Sequence, residues 1–162
     1  ATAHVVPQET LPVLFQAQAA RTPEATAVVS RDARLSYAEL NERANRLARL
    51  LIARGVGPES LVAVVMEPAA GLVTALLAVL KTGGAYLPVD NSYPSDRIDY
   101  MLTDGAPVLT VTDHACAAKA TAHGRVVLAL DDPEVAAELG CLDGTDVTDL
   151  ERTAALTPRH PA

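Results

Sequence analysis

Leu80–Asp90 reads LKTGGAYLPVD, with two adjacent glycines between an apolar run of helical spacing and a short run rich in strand formers. Whether those glycines cradle an anion or turn a corner decides what kind of α/β chain this is. In the common phosphate cradles a strand enters the glycine turn and a helix leaves it, so that free amides and the positive end of the helix dipole face the anion. Here the order is reversed. A helix ends at Lys81-Thr82, and its last turn offers carbonyls and partial negative charge, which repel phosphate. The stretch therefore reads as scaffold: Gly83 or Gly84 takes the left-handed conformation, stops the helix and lets the chain enter a strand over 85–89. A valine at Gly84 is expected to impair folding on that account, because a β-branched residue resists positive φ.

Upstream, LVAVVM at Leu61–Met66 is apolar on both alternating faces, as in a strand covered by helices on both sides of a parallel sheet. A helix over 70–81 links it to the strand after the glycines. Downstream the pattern repeats: a helix after Pro94 with Ile98, Met101 and Leu102 inward, a strand over 108–112, an Ala-rich helix and a strand over 126–130. Such alternation implies right-handed βαβ crossovers and an α/β fold with a mostly parallel sheet flanked by helices.

The N-terminal part prepares this sheet. Thr10 and Pro12 open a short helix that stops at Arg21-Thr22-Pro23. ATAVVS at Ala25–Ser30 and a brief strand ending near Leu35 form a hairpin around Arg31-Asp32. Ser36-Tyr37-Ala38-Glu39 fits a capping box, and Leu40, Ala44, Leu47, Ala48 and Leu51 follow at helical spacing until Gly55 ends the helix. Beyond Asp131 the sequence is acidic and broken by Gly and Pro, a loop-rich exit that is only locally helical.

A chain of 162 residues is about one domain long and buries a real core. With 49% hydrophobic residues, 3% aromatics and no Trp, that core is built from Ala, Val and Leu, which favours helices on a sheet over an aromatic-rich sandwich. The formal net charge is −7, with Lys and Arg scattered among acids, so nucleic acid is not an expected partner. No apolar run approaches the roughly 20 residues of a membrane span, and the N-terminus lacks the charged start and apolar core of a signal peptide. A cytoplasmic location is expected, with Cys116 and Cys141 as thiols.

Few residues suggest chemistry. Asp113, His114, Cys116 and His123 match no common zinc spacing. The four histidines, His4, His114, His123 and His160, have no Gly-x-Ser-x-Gly nucleophile to activate. Gly55-Val56-Gly57 lacks the third glycine of a dinucleotide fingerprint. Asp131, Asp132 and the later acids read as solvated surface. The residues alone give an α/β domain with no visible active site.

The wording of the motifs adds what periodicity does not. LSYAEL at Leu35–Leu40 and LKTGGAYLPVD resemble the first two core motifs of the adenylation domains of nonribosomal peptide synthetases. LFQAQAARTPEATAVV at Leu14–Val29, ELNERANRLARLL at Glu39–Leu51 and YPSDRIDYMLTD at Tyr93–Asp104 are similar to that family in the same order. The resemblance runs from about Leu11 to Pro161. It implies the N-terminal part of the large subdomain of an adenylate-forming enzyme, divided as a linker tail over 1–10, an α/β layer over 11–130 and a loop-rich segment over 131–162 leading toward the phosphate-binding loop.

By the same resemblance the complete domain activates an amino acid with ATP and Mg2+, releases pyrophosphate and loads the phosphopantetheine thiol of a carrier domain. Its implied partners are the remainder of the adenylation domain and the carrier and condensation domains; whether a small activator protein binds is not written in these residues, since in the family that surface normally lies elsewhere in the large subdomain. The family's catalytic, nucleotide-binding and metal-binding residues are expected downstream of Leu156–Ala162 (LTPRHPA). No catalytic, cofactor or metal residue is carried onto any position here, and the chain alone is expected to be inactive. An acyl- or aryl-CoA ligase fragment and a non-catalytic binding module are the alternatives. Met66-Glu67-Pro68 departs from the family's frequent Glu-Arg-Ser, and Asp90-Asn91-Ser92 from its Asp-Pro, which puts local loop shape in question.

Overall fold

The computed structural model describes residues 9–31, 33–120 and 126–158. His4, His123, His160, Asp32 and most of the segment read as a linker tail lie outside the described residues. Helix α1 (Leu11–Arg21) follows Thr10, whose side chain makes no cap bond. Strands β1 (Thr26–Val29) and β2 (Arg34–Ser36) pair antiparallel as the expected hairpin. The Phe15 ring lies 5.7 Å from that of Tyr37 and ties α1 to the start of α2 (Tyr37–Ala53).

Both ends of α2 follow from local chemistry. The Ser36 amide donates to the Glu39 carboxylate at 2.8 Å and the Glu39 amide to the Ser36 hydroxyl at 3.2 Å, the reciprocal capping box. At the other end Gly55 has φ 88°. Its amide donates to Ile52 at 2.9 Å while that of Val56 donates to Leu51 at 3.0 Å, the paired bonds of a Schellman stop.

The sheet then builds as β3 (Leu61–Val65), α3 (Ala70–Thr82), β4 (Ala85–Pro88), α4 (Ser95–Gly105), β5 (Leu109–Thr112), α5 (Ala117–Ala120), β6 (Val126–Ala129) and α6 (Pro133–Cys141). Its order is β4-β3-β5-β6, and every pairing is parallel. β3 is interior, as its two-sided apolarity predicts. Leu47, Leu51, Val62, Val64 and Val111 fill the core beneath α2 and α3, while Ala63, Val65, Ile98 and Leu102 fill the opposite face. Each fully buried Leu or Ile contributes about 1.5–3 kcal/mol relative to exposure. Among the described residues no helix is long and apolar enough to cross a membrane.

The glycine pair is resolved and one expectation corrected. Gly83 carries the positive φ, 89°, and its amide donates to Leu80 at 3.0 Å; Gly84 is not left-handed. Gly84 is small for a different reason. A Cβ there would lie 3.1 Å from the Ser60 carbonyl and 3.2 Å from Val56, so packing and not backbone conformation restricts it.

Residues 142–157 are not merely a solvated exit. They form a strap laid along α2 and the end of α3. Asn41 and the fully buried Asn45 donate to Asp146 at 2.7 and 3.1 Å, and Asn45 also reaches the Gly144 carbonyl at 2.8 Å. Arg49 bonds the carbonyls of Asp143 and Thr145 and the Glu151 carboxylate. Arg152 turns back to the Lys81 carbonyl at 2.6 Å and to that of Val147 at 2.8 Å. Contact reaches the backbone itself, since a Cβ on Gly144 would overlap Glu42 Cγ.

Beneath the strap lies Lys81, whose side chain is 0% exposed. Its ammonium stands 3.7 Å from the half-exposed Asp146 carboxylate, near enough to attract and too far to hydrogen-bond. Burial lowers its pKa to about 8; attraction to Asp146 offsets this only in part, and Arg152 and Arg49 add to it. Asp146 is itself desolvated, yet donation from Asn41 and Asn45 together with Lys81 holds its carboxyl below the usual range.

Three outcomes are expected in equilibrium unfolding. Gly83→Val costs about 2 kcal/mol, the cost of a branched side chain in the left-handed region, and a midpoint equal to the parent's would refute the helix-stop role. Asp146→Ala leaves the Lys81 cation without a counter-charge and costs roughly 2 kcal/mol, less than a fully buried pair because Asp146 is half in water. The folded pKa of Lys81, about 8, lies below the ordinary 10.5. Through that window the unfolded chain therefore holds the extra proton, and stability rises with pH. Lys81→Met should abolish this rise in unfolding midpoints measured from pH 7.5 to 10.

Candidate functional site

Two places merit the question of function: the glycine corner after α3 and the crest at the carboxyl ends of β3, β4 and β5. At the corner every amide that could face an anion is already engaged. Gly83 donates to Leu80, Gly84 to the Thr82 hydroxyl at 3.1 Å, and Ala85 to the Ser60 carbonyl at 2.8 Å. The Thr82 hydroxyl in turn donates to Val79 at 2.6 Å. The adjoining cavity, about 180 Å³, has Glu9 in its wall beside Leu80 and both glycines. A negative wall and spent amides make no phosphate cradle.

The crest is where an open α/β sheet ordinarily receives a ligand, because successive connections leave in opposite directions and open a crevice. Here β4 and β5 lie on either side of β3, and a cleft of about 330 Å³ opens beside Met66, Pro68, Asn91 and Tyr93. The loops around it are stitched together. Asp113 accepts from the Glu67 amide at 2.8 Å and from the Cys116 amide at 2.8 Å. Asn91 donates to Glu67 at 2.6 Å and toward the Cys116 sulfur at 3.3 Å, and Lys119 donates to the Asn91 carbonyl. Asp131 accepts from the His114 amide at 2.7 Å.

This lattice has a clear electrostatic character. Donation from the Ser92 amide holds the Asp90 carboxyl below the usual range, so it remains an anion. Burial pushes the Cys116 thiol up, away from the nucleophilic thiolate. Of the residues considered as metal ligands, Asp113 and Cys116 meet through a backbone bond, and His123 is outside the described residues. Among the described residues no three His, Cys, Asp or Glu side chains gather to hold a metal ion.

Sequence reading missed the pairing of Glu67 with Asn91. Both are positions where the chain departs from the wording it resembles, and the structure places them in one hydrogen bond across two loops. A signal existed in the simultaneous change at both positions, but only the folded topology shows that the ends of β3 and β4 are neighbours.

Comparison with known proteins supplies what the geometry lacks. The sequence model of the family described as "AMP-binding enzyme" matches residues 15–162. A probable non-canonical nonribosomal peptide synthetase, CymA, of Salinispora arenicola is 49% identical over 94% of this chain, which spans 2% of that protein. A dimodular nonribosomal peptide synthase of Bacillus subtilis is 45% identical over 97% of the chain, which spans 7% of its length. Among solved structures, that of the nonribosomal peptide synthetase FmoA3 in an α-methyl-L-serine-AMP-bound form superposes with a TM-score of 0.85 at 33% identity. It covers 99% of this chain, which spans 17% of it. In those relatives the matching layer is one part of a much longer polypeptide, and the chain belongs to the AMP-binding enzyme family.

Proposed function

We propose that the chain is the N-terminal portion of an amino-acid adenylation domain of a nonribosomal peptide synthetase. In the complete domain an amino acid and ATP, with Mg2+, give an aminoacyl adenylate and pyrophosphate, and the aminoacyl group passes to a carrier-bound phosphopantetheine thiol. The supporting observation is a likeness to such synthetases over nearly the whole chain, at 45–49% identity.

On this proposal residues 11–130 are a supporting α/β layer, and the segment over 131–162 leads from it toward the nucleotide site. The groups that bind nucleotide, metal and amino acid lie outside these residues. The contribution of this portion is mechanical: it holds a rigid sheet, fixes the strap against α2 and presents a surface on which the remainder assembles. The carrier and condensation domains are its partners within the synthetase.

Amino-acid-dependent exchange of pyrophosphate into ATP tests the proposal. The 162-residue chain alone should give none, and the same chain continued through a complete domain should give exchange with one or a few amino acids. Robust exchange by the isolated chain would overturn it, as would a complete enzyme that forms only acyl-CoA.

A further inference from the structure

Between α2, α3 and α6 lies a groove of about 390 Å³, within the size range of small-ligand sites. It exists because α6 rests on α2 without closing over it. None of the residues of α6 is buried. The helix is held by Leu139 and its neighbours against the core and by the Arg54–Glu138 ion pair at 2.9 Å. Leu47, Leu130 and Leu139 give the groove an apolar floor, and Gly140 leaves one wall open.

Its lip has the opposite character. Arg43 and Arg46 line the groove from α2, one helical turn apart and therefore on the same side. Arg46 is committed in part, donating to the Leu142 carbonyl at 3.1 Å and pairing with Glu42. Arg43 is exposed, and among the described residues none pairs with it. In a chain of net charge −7, an exposed guanidinium with no partner among the described residues, at the mouth of a leucine-lined groove, points to an occupant of complementary chemistry. The tail is apolar and the head is anionic. A carboxylate matches the fork of a guanidinium. No aromatic side chain lines the groove, so the floor suits a flexible aliphatic chain better than a flat ring, which gains most from stacking.

We propose that this groove is a binding site for a linear medium-chain carboxylate, with the chain on Leu47, Leu130 and Leu139 and the carboxylate on Arg43. The site is remote in character from amino-acid activation: it uses no nucleotide, and its ligand is held by one arginine and a hydrophobic floor.

The experiment titrates octanoate, below its micelle concentration, into the isotopically labelled chain and follows the backbone amides of Gly71, Leu139 and Gly140. Saturable shifts confined to the groove are expected, with octyltrimethylammonium, which has the same tail and the opposite head charge, at least tenfold weaker. Arg43→Gln should weaken octanoate about tenfold, the loss of one charge-assisted hydrogen bond. Gly140→Leu fills the groove where a Cβ meets nothing within 4 Å and replaces a poor helix former with a good one. It should abolish binding while the thermal midpoint holds or rises. Absence of octanoate shifts, equal affinity for the cationic amphiphile, or undiminished binding by Arg43→Gln would overturn the proposal.

Discussion

A cation with no exposed surface sits in the last turn of α3, and the course of the chain beyond α6 answers to it. Lys81 is well placed with respect to its own helix, since the carbonyls and partial negative charge of a helix C-terminus favour a nearby cation. What the helix does not supply is a full counter-charge or a way to keep the carboxylate that provides one in place. The strap supplies Asp146, and Asn41 and Asn45 donate to the same carboxylate oxygen that faces Lys81. Arg152 then returns to the carbonyl of Lys81 itself. The strap is thereby held to α2 and α3 together, with the buried ammonium of Lys81 beneath it.

At the corner, around the crest and along the strap many polar groups bond within the protein, although among the described residues the Lys81 ammonium and the Thr10 hydroxyl in the corner wall are buried without a hydrogen bond. Amides after the helix stop bond within the turn, and the acidic side chains around β3 and β5 bond neighbouring backbone. Such arrangements give rigidity at the expense of available hydrogen-bonding capacity. The chain belongs to the AMP-binding enzyme family and spans only a small part of the synthetases it resembles.

Elements whose causes are local were legible in the residues. The capping box at Ser36, the stop at Gly55, the two-sided apolarity of Leu61–Val65 and the alternation of helix and strand all appear in the structure. The choice between Gly83 and Gly84 was not legible, because either satisfies the turn in sequence and only the contacts of Gly84 with Ser60 and Val56 distinguish them. The strap was also hidden. It has no hydrophobic period, and its bonds join Asn, Arg and Asp side chains to partners whose identity depends on the completed fold. Acidic residues that read as solvated surface proved to be acceptors for α2. The Glu67–Asn91 bond was invisible for the same reason, since sheet order alone makes its two loops adjacent.

The strap has a consequence for the order in which the molecule is made. Its bonds to α2 join residues about a hundred positions apart, from a separation of 94 for Arg49 with Asp143 to 105 for Asn41 with Asp146. Closing so long a loop carries an entropic cost that is recovered only when both ends are already ordered. On the ribosome α2 and Lys81 emerge long before residues 142–152. Until then the polar face of α2 stays in contact with water and the end of α3 lacks its cover. The residues of the strap are thus among the last to become available to α2, and their bonds add to apolar contacts that depend only on earlier residues.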